Sequence, residues 1–181
     1  MIPREFVKKY YPAAIEAEVE YGITCIAILA QAAVETGWGE RVKGNNFFGI
    51  KARGDWNGDA TTFRTKEVHS SPNYGNRYYK VYSVTPIGNG LYEYDVLDGF
   101  RKYDNALDSF VDYCELITGV ERYKEALEHK DNYKLYLPLI AKAGYATGVG
   151  YANLCVDVGR MIEGQVRKLE TTIYAKKNTT I

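Results

Sequence analysis

The sequence contains little of what marks a membrane protein or a metalloprotein. No apolar run reaches the roughly 18 residues of a membrane span, and residues 1–10 lack the apolar core of a signal peptide. The two histidines, His69 and His129, stand far apart and show no metal-ligand spacing. We therefore expect no membrane insertion, no metal and no cofactor.

The sequence also lacks an excess of either charge, because 23 basic side chains balance 23 acidic ones. Nucleic-acid binding requires clustered Lys and Arg, and the short basic groups at 167–168 and 176–177 are typical of solvated helix faces. This balance excludes a general attraction to nucleic acid, so binding should be local and dependent on shape. We expect no nucleic-acid partner and a monomeric protein.

Cysteine is too scarce and too scattered for a disulfide framework. Cys25, Cys114 and Cys155 are odd in number and lie within apolar stretches that we expect to be helical. We interpret them as buried free thiols, although a disulfide between two of them stays open. Nothing near them in the sequence indicates the lowered thiol pKa of a nucleophile.

What the sequence does contain is the composition of one ordinary domain, with one excess. It has 181 residues, 46% of them hydrophobic, which is enough to enclose a core. The excess is in tyrosine, with 17 residues against 6 phenylalanines. A tyrosine ring suits a wet binding groove as well as the edge of a core, so composition alone leaves both roles open.

The hydrophobic periodicity predicts helices, then a β-lobe, then helices again. A helix is expected over 3–20, where Pro12 could kink or split it, and an almost wholly apolar helix over 23–34. Loops and short strands are expected over 38–77, and a hairpin is indicated by β-prone runs at 78–84 and 91–96 across Gly88-Asn89-Gly90. This order predicts a mainly helical α+β domain with a cleft beside a β-lobe at about 55–100.

The helical period returns from Asp104, which together with Asn105 is a candidate helix cap. A further helix should end at Ala143-Gly144, and a last one should span about 151–169. The polar segment 171–181 is expected to be a frayed tail, which leaves 1–170 as a single catalytic domain.

Glu35 is the most informative single residue of the sequence. It follows twelve nearly apolar residues and precedes Gly37, Trp38 and Gly39. If its carboxyl lies in an apolar setting, its pKa is raised and it can act as an acid near neutral pH. The alternative is that Glu35 simply emerges into solvent at the end of the helix.

A set of short strings resembles the endo-β-N-acetylglucosaminidases of glycoside hydrolase family 73, which include autolysins, flagellar muramoyl-hydrolase domains and phage lysins. Two strings form its motif pair: Ala-Gln-Ala-Ala-Val-Glu-Thr-Gly-Trp-Gly-Glu at 30–40 and Gly-Asn-Asn-Phe-Phe-Gly-Ile-Lys-Ala at 44–52. The resemblance continues at 56–58, 65–67, 100–103, 143–147 and 151–152, and it extends from about residue 4 to 165. It implies a lysozyme-like helical domain with a β-hairpin lobe forming a substrate cleft.

The resemblance also implies roles for individual residues. Glu35 corresponds to the general acid that protonates the leaving glycosidic oxygen, Glu67 to the acidic residue of the β-lobe, and Tyr145 to a tyrosine that contacts the substrate or assists the carboxylates. Substrate-binding positions are also expected. Phe47 and Phe48 would shape the floor of the cleft, Trp38 and Asn46 would support the loop that carries the acid, and Tyr151 would complete the set.

The sequence departs from the family pattern in two places. The Asp-Pro expected after residue 147 is replaced by Gly148-Val149-Gly150, so the turn that carries Tyr145 could be looser. The hairpin is longer than usual and carries three further acids, Glu93, Asp95 and Asp98. Any of these, or the 2-acetamido group of the substrate, could replace Glu67 as the second catalytic group, so retention or inversion stays open.

Three functions remain to be separated. The leading hypothesis is a peptidoglycan hydrolase that cleaves the β-1,4 bond between N-acetylglucosamine and N-acetylmuramic acid. A muramidase or lytic transglycosylase would cleave the other glycan bond, and a non-catalytic module would bind glycan without cleavage. The partner is in each case the peptidoglycan glycan strand of the bacterial cell wall. Without a signal peptide, we expect a lysin released by a phage or prophage, or a part of a larger exported protein.

Overall fold

The computed structural model describes residues 1–54, 56–146 and 148–179, with the backbone alone for 176–179. The chain divides into two compact units, a helical unit of Met1–Phe48 with Asp104–Ile181 and a sheet unit of Gly49–Tyr103. The predicted α+β class, mainly helical with a small antiparallel sheet, is confirmed. Within the described ranges, no helix has both the length and the apolar character needed to cross a membrane.

The helical unit contains six α-helices within the described residues: α1 (Pro3–Tyr21), α2 (Cys25–Thr36), α3 (Ala106–Gly119), α4 (Lys124–Leu127), α5 (Tyr133–Lys142) and α6 (Tyr151–Thr179). Helix α2 runs through the core, as its apolar sequence predicts, and most of its side chains are buried. Helix α3 begins at Asn105, whose side chain accepts a hydrogen bond from the Asp108 N–H, so one of the two predicted caps is confirmed.

Two expectations about helix boundaries are wrong, because Pro12 does not split α1 and the last helix does not end near Leu169. Helix α1 continues through Pro12, because this proline is exposed and water can satisfy the carbonyl that its missing N–H leaves free. Helix α6 extends to Thr179 and therefore includes most of the expected frayed tail. The Tyr11 hydroxyl of α1 donates to Glu170 Oε1 at 2.5 Å, which ties α6 beyond its predicted end at Leu169. Residues 180 and 181 of the predicted tail lie outside the described residues.

The sheet unit contains three antiparallel strands in the order β1-β3-β2: β1 (Ala60–His69), β2 (Lys80–Gly88) and β3 (Leu91–Arg101). The predicted β2–β3 hairpin is confirmed, and Asn89 and Gly90 turn it with φ angles of 51° and 70°. Strand β1 is ten residues long, which corrects the expectation of loops and short strands there. It pairs with β3 along its whole length, and such long-range pairing is not encoded locally.

The two faces of the sheet carry different chemistry. Side chains of β1 alternate between exposed and half-buried, and those on the half-buried face, including Phe63 and Glu67, stand opposite buried residues of β3. Phe63 stacks on Phe100 with ring centroids 3.8 Å apart. The other face carries two exposed ion pairs, Arg64–Asp95 and Lys66–Glu93.

Candidate active site

Glu35 lies in the last turn of α2, and the backbone that follows it is held in an unusual shape. Gly37, Trp38 and Gly39 all have positive φ angles, of 59°, 58° and 79°. Two N–H groups of this segment are satisfied by the helix end: Trp38 donates to the Ala33 carbonyl at 2.8 Å and Gly39 donates to Thr36 Oγ1 at 2.8 Å. The helix therefore ends at a fixed point just beyond the carboxyl.

The Glu35 carboxyl is reachable from solvent and yet crowded by protein. Its side chain is exposed, but loss of hydration raises the pKa of the carboxyl above its ordinary value. A hydrogen bond from the Tyr151 hydroxyl to Oε1, at 2.8 Å, and the charge of Arg41 lower this pKa in part. Glu35 therefore combines the two environments that the sequence left open, a poorly hydrated setting and an exposed position at the end of the helix.

Two tyrosines that are distant from Glu35 in the sequence lie close to it in the helical unit. Tyr151 is the first residue of α6, and Tyr145 lies in the segment between α5 and α6, with its ring centroid 6.2 Å from that of Tyr151. Burial raises the pKa of both phenols far above the ordinary value, and the charge of Glu35 adds to this effect. Both hydroxyls are therefore protonated near neutral pH and can donate hydrogen bonds.

Of the other predicted substrate-binding residues, three are buried and one is half-buried. Phe47 is buried with its ring 4.8 Å from that of Tyr10, and Phe48 stacks on Tyr113 at 4.1 Å. Asn46 is buried, and the half-buried Trp38 packs edge-on against Phe6. Phe47 offers almost no surface to a ligand, so its role can be to shape the floor of the site but not to contact sugar.

In the sheet unit, Glu67 belongs to a network of charges. Lys51 Nζ lies 2.6 Å from Glu67 Oε1 and 2.8 Å from Asp98 Oδ2, and it also lies over the ring of Phe100. Arg53 contacts the same oxygen of Asp98 at 2.6 Å. Asp98 is 2% exposed, so its charge depends on these two cations, whereas the Glu67 side chain is 28% exposed.

The sheet separates the acids that rival Glu67. Because successive side chains of a strand point to opposite faces, Glu93 and Asp95 lie on the face away from Glu67, paired to exposed Lys66 and Arg64. Asp98 shares the face of Glu67 but is buried and doubly paired. Glu67 is therefore the accessible acid of its face.

Sequence reasoning missed Arg41 and Lys51, which act on Glu35 and Glu67 respectively, and Gln31, which donates to the Tyr151 hydroxyl beside Glu35. Gln31 could have been found, since it is the polar residue one turn before Glu35 in an otherwise apolar helix and so faces the same side. The looser turn expected at 148–150 is not tested, and Thr147 of that motif lies outside the described residues.

The cysteines and the candidate metal ligands complete the description of reactive side chains. All three cysteines are free and buried, as predicted. Burial raises the pKa of Cys114 to about 12 and that of Cys155 to about 11, which argues against a thiolate nucleophile. Within the described residues, no group of three or more His, Cys, Asp or Glu could hold a metal ion.

Comparison with known proteins finds a matching family model and several similar proteins. The family model described as mannosyl-glycoprotein endo-beta-N-acetylglucosaminidase matches residues 11–163. The chain is 34% identical over 167 residues to the peptidoglycan hydrolase FlgJ of Vibrio parahaemolyticus, covering 89% of the chain and 48% of that protein. It is 30% identical over 171 residues to FlgJ of Salmonella typhimurium, covering 91% and 47%. The chain thus spans about half the length of these curated relatives.

Solved structures share the whole fold. The glycoside hydrolase domain of Salmonella typhimurium FlgJ superposes with a TM-score of 0.73 at 25% identity, covering 99% of each chain. A mutant peptidoglycan hydrolase from Sphingomonas sp. A1 gives a TM-score of 0.68 at 26% identity, covering 91% of this chain and 99% of that one. The likeness therefore includes both the helices and the sheet.

Proposed function

Because the chain belongs to the glucosaminidase family of glycoside hydrolases, we propose that it hydrolyses the β-1,4 bond between N-acetylglucosamine and N-acetylmuramic acid in peptidoglycan, with Glu35 as general acid. The observation that carries this proposal is the environment of Glu35. Its carboxyl is accessible to a ligand, and poor hydration favours its protonated form. A general acid must be both reachable and protonated when the substrate binds.

Bond cleavage needs a proton for the departing oxygen and support for the positive charge that develops on the sugar. Glu35 supplies the proton to the glycosidic oxygen as the bond breaks. The Tyr151 hydroxyl, which already donates to Oε1, then stabilises the carboxylate that remains. Tyr145, protonated and beside Tyr151, supplies a further donor for the substrate or the carboxylate.

We propose Glu67 as the second catalytic group. It is the accessible acid of its sheet face, and Lys51 holds it at 2.6 Å. Glu67 would activate water or stabilise the oxocarbenium-like state, and the 2-acetamido oxygen of the substrate is the remaining alternative nucleophile. Proton NMR of the first-formed product anomer measures retention or inversion and separates water attack from an acetamido route.

The decisive experiment replaces Glu35 by Gln, which keeps the size of the side chain and its ability to accept from Tyr151. We expect the release of new reducing ends from purified sacculi to fall by about 10²–10⁴-fold, the usual worth of a general acid. Glu40→Gln is the matched control, because Glu40 is exposed and pairs with the N-terminal amine. Full activity of Glu35→Gln would refute the assignment.

Mass spectrometry of the products identifies the cleaved bond. Reducing-end N-acetylglucosamine supports the proposal, whereas reducing or anhydro muramic acid would identify a muramidase or a lytic transglycosylase. Binding of sacculi without any new reducing ends would identify a non-catalytic glycan-binding module.

The substrate and setting belong to the same proposal. Tyr79 of the sheet unit is exposed and offers a ring on which a sugar can stack, whereas Arg64 and Lys80 lie over the ring of Tyr82. We propose a monomer that acts on the bacterial cell wall, as a lysin released by a phage or prophage or as part of a larger exported protein. Light scattering of the purified chain measures the first of these properties.

A further inference from the structure

A chain of hydrogen bonds crosses the core of the helical unit and ends on Glu35. It begins at Tyr136 of α5, whose hydroxyl lies 2.9 Å from that of Tyr113 on α3. Tyr113 bonds to Gln31 Oε1, and Gln31 Nε2 bonds to the Tyr151 hydroxyl at 3.3 Å. The last bond runs from Tyr151 to Glu35 Oε1 at 2.8 Å.

The direction of this hydrogen-bond chain follows from the orientation of the Gln31 amide and from the number of protons available. Gln31 Oε1 can only accept, so Tyr113 gives it its single proton and must accept from Tyr136. Gln31 Nε2 can only donate, so the Tyr151 oxygen accepts and its own single proton points to Glu35. Every donor in the chain therefore points toward the carboxyl.

Most members of the hydrogen-bond chain are buried, so reversing the direction of its bonds would cost free energy. Gln31, Tyr113 and Tyr136 are each 0% exposed. A buried amide or hydroxyl that loses its partner cannot replace it with water, so reversing one bond would leave its neighbours unsatisfied. Four elements, α2, α3, α5 and α6, supply its members, and their packing holds the chain in place.

We propose that Gln31, Tyr113 and Tyr136 are positioning residues for Glu35: the chain they form fixes the Tyr151 proton on Oε1 and reserves Oε2 as the atom that carries and delivers the catalytic proton. This inference rests on the proposed role of Glu35 as general acid. None of the three residues needs to touch the substrate, since they act through Tyr151.

Other groups also act on Glu35 and must be kept unchanged in a test. Arg41, in the segment after α2, lowers the pKa of its carboxyl, and Tyr145 and Cys155 lie close enough for the Glu35 charge to raise their pKa values. Within the described residues, Arg41 is the charged side chain that affects the Glu35 pKa. The hydrogen-bonded side chains carry no charge, so their effect on Glu35 comes from the direction in which their donors point.

The sharpest test replaces Gln31 by Glu. Burial raises the pKa of the new carboxyl at position 31, so the variant is compared with the wild type at a pH where that carboxyl is ionised. It then accepts from both Tyr113 and Tyr151, so the Tyr151 proton turns away from Glu35. The carboxyl of Glu35 loses its donor and gains a like charge nearby, and both changes raise its pKa. We expect kcat to fall at least about ten-fold with little change in KM, because the reacting proton loses its fixed position.

Tyr113→Phe is a gentler variant that keeps the ring and removes the donor to Gln31. We expect a rise of about half a unit or more in the pKa of Glu35 and a fall in kcat of about three- to ten-fold. Since Glu35 must be protonated to act, a raised pKa moves the alkaline limb of the kcat profile to higher pH. Tyr136 lies one hydrogen bond further from Glu35, so Tyr136→Phe should change the Glu35 pKa and kcat in the same directions by smaller amounts.

Tyr94→Phe is the matched control, because Tyr94 is equally buried and its hydroxyl donates to the Ser71 carbonyl in the sheet unit. It loses a buried hydroxyl without touching the chain, so both the alkaline limb and the Glu35 pKa should stay as in the wild type. Circular dichroism and thermal melting establish that each variant is folded. If Gln31→Glu does not fold, Tyr113→Phe and Tyr136→Phe decide the question.

The pKa of Glu35 is measured directly by carbon-13 NMR titration of the glutamate carboxyls, with the signal assigned by its loss in Glu35→Gln. Unchanged values in Tyr113→Phe and Gln31→Glu, or an equal shift in Tyr94→Phe, would overturn the inference. This readout does not depend on activity. A shifted pKa with an active Glu35→Gln would instead reject the proposed function and leave the hydrogen-bond chain intact.

Discussion

Each of the two units contains one candidate catalytic carboxyl, Glu35 or Glu67, and the two carboxyls have different kinds of hydrogen-bond partner. In the helical unit, Glu35 accepts from a neutral hydroxyl in a poorly hydrated place. In the sheet unit, Glu67 is held by an ammonium group that also serves the buried Asp98. Lost hydration suits a carboxyl that must carry a proton, whereas an ion pair suits one that must stay charged.

This difference teaches that the groups in contact with two carboxyls indicate which catalytic role each one suits. Glutamate side chains are chemically identical, so only the surroundings can make one an acid and the other a base or a stabiliser. Variants that alter one unit at a time test that contrast, from the largest expected effect to the smallest.

Among the variants not yet described, the largest effect should come from removing the charge of Glu67. Glu67→Gln should lower the rate of glycan cleavage by about 10²-fold or more, because the second group of the reaction is lost. Glu93→Gln, on the next strand but on the opposite sheet face, should keep wild-type activity. Both rates are measured by the release of reducing ends from sacculi, and a loss in Glu93→Gln alone would reverse the assignment.

The next effect concerns stability and compares two aspartates of β3. Asp98→Asn should lower the free energy of unfolding by about 2 kcal/mol, less than for a fully buried pair because Lys51 and Arg53 keep some access to water. Asp95→Asn, which breaks the exposed pair with Arg64, should cost much less, because solvent screens that pair. Urea unfolding curves give both values, and equal costs would show that the charge network is not a buried one.

A third comparison concerns two glycines with left-handed backbones, one in each unit. Gly90 in the hairpin turn has φ of 70° and open space where the Cβ of an alanine would stand, so Gly90→Ala should cost about 1 kcal/mol. Gly37, after Glu35, has φ of 59°, and a Cβ there would lie 3.1 Å from Arg41 Cζ. Gly37→Ala should cost about 2 kcal/mol and also shift the pH profile, because Arg41 must move.

Thermal melting and pH–rate profiles of these two alanine variants measure the third comparison. The displaced Arg41 no longer lowers the pKa of Glu35 as strongly, so the alkaline limb of Gly37→Ala should move to higher pH. The profile of Gly90→Ala should match that of the wild type. A shift in Gly90→Ala alone would contradict the link between Arg41 and Glu35.

The smallest effect is expected from salt. The protein has no net charge to steer it toward an anionic wall, and the hydroxyl that donates to Glu35 is neutral. Raising the salt concentration from about 0.05 M to about 0.3 M should therefore change activity by less than about two-fold. Turbidity clearing of sacculi at several salt concentrations measures this, and a steep fall would indicate electrostatic recognition.

Much of the fold could be predicted from local patterns. The apolar run that forms α2, the Asn105 cap and the Asn89-Gly90 turn each carry their signal within one short segment. Strand β1 could not be predicted at its full length because its alternation is weak, and its stability comes from pairing with β3 some thirty residues away. The continuation of α6 has no local signal, because its tie to Tyr11 crosses 159 positions.

The site shows the same division. The family strings point to Glu35, Glu67 and Tyr145, and family membership is confirmed, but the individual roles stay proposals. The tyrosine excess is compatible in sequence with a sugar-binding hairpin as well as with a core. The structure places many of these rings in the core, among them Tyr10, Tyr123 and Tyr136.

The sequence by itself determined the helices, the hairpin and the position of Glu35 at the end of an apolar helix, because each depends on the spacing of neighbouring residues. Only the tertiary structure decided what surrounds that carboxyl. Its donor, Tyr151, lies 116 positions away, and Gln31 meets the same hydroxyl across 120 positions. Local periodicity cannot encode such contacts, since they form only when packed helices bring distant side chains to one point.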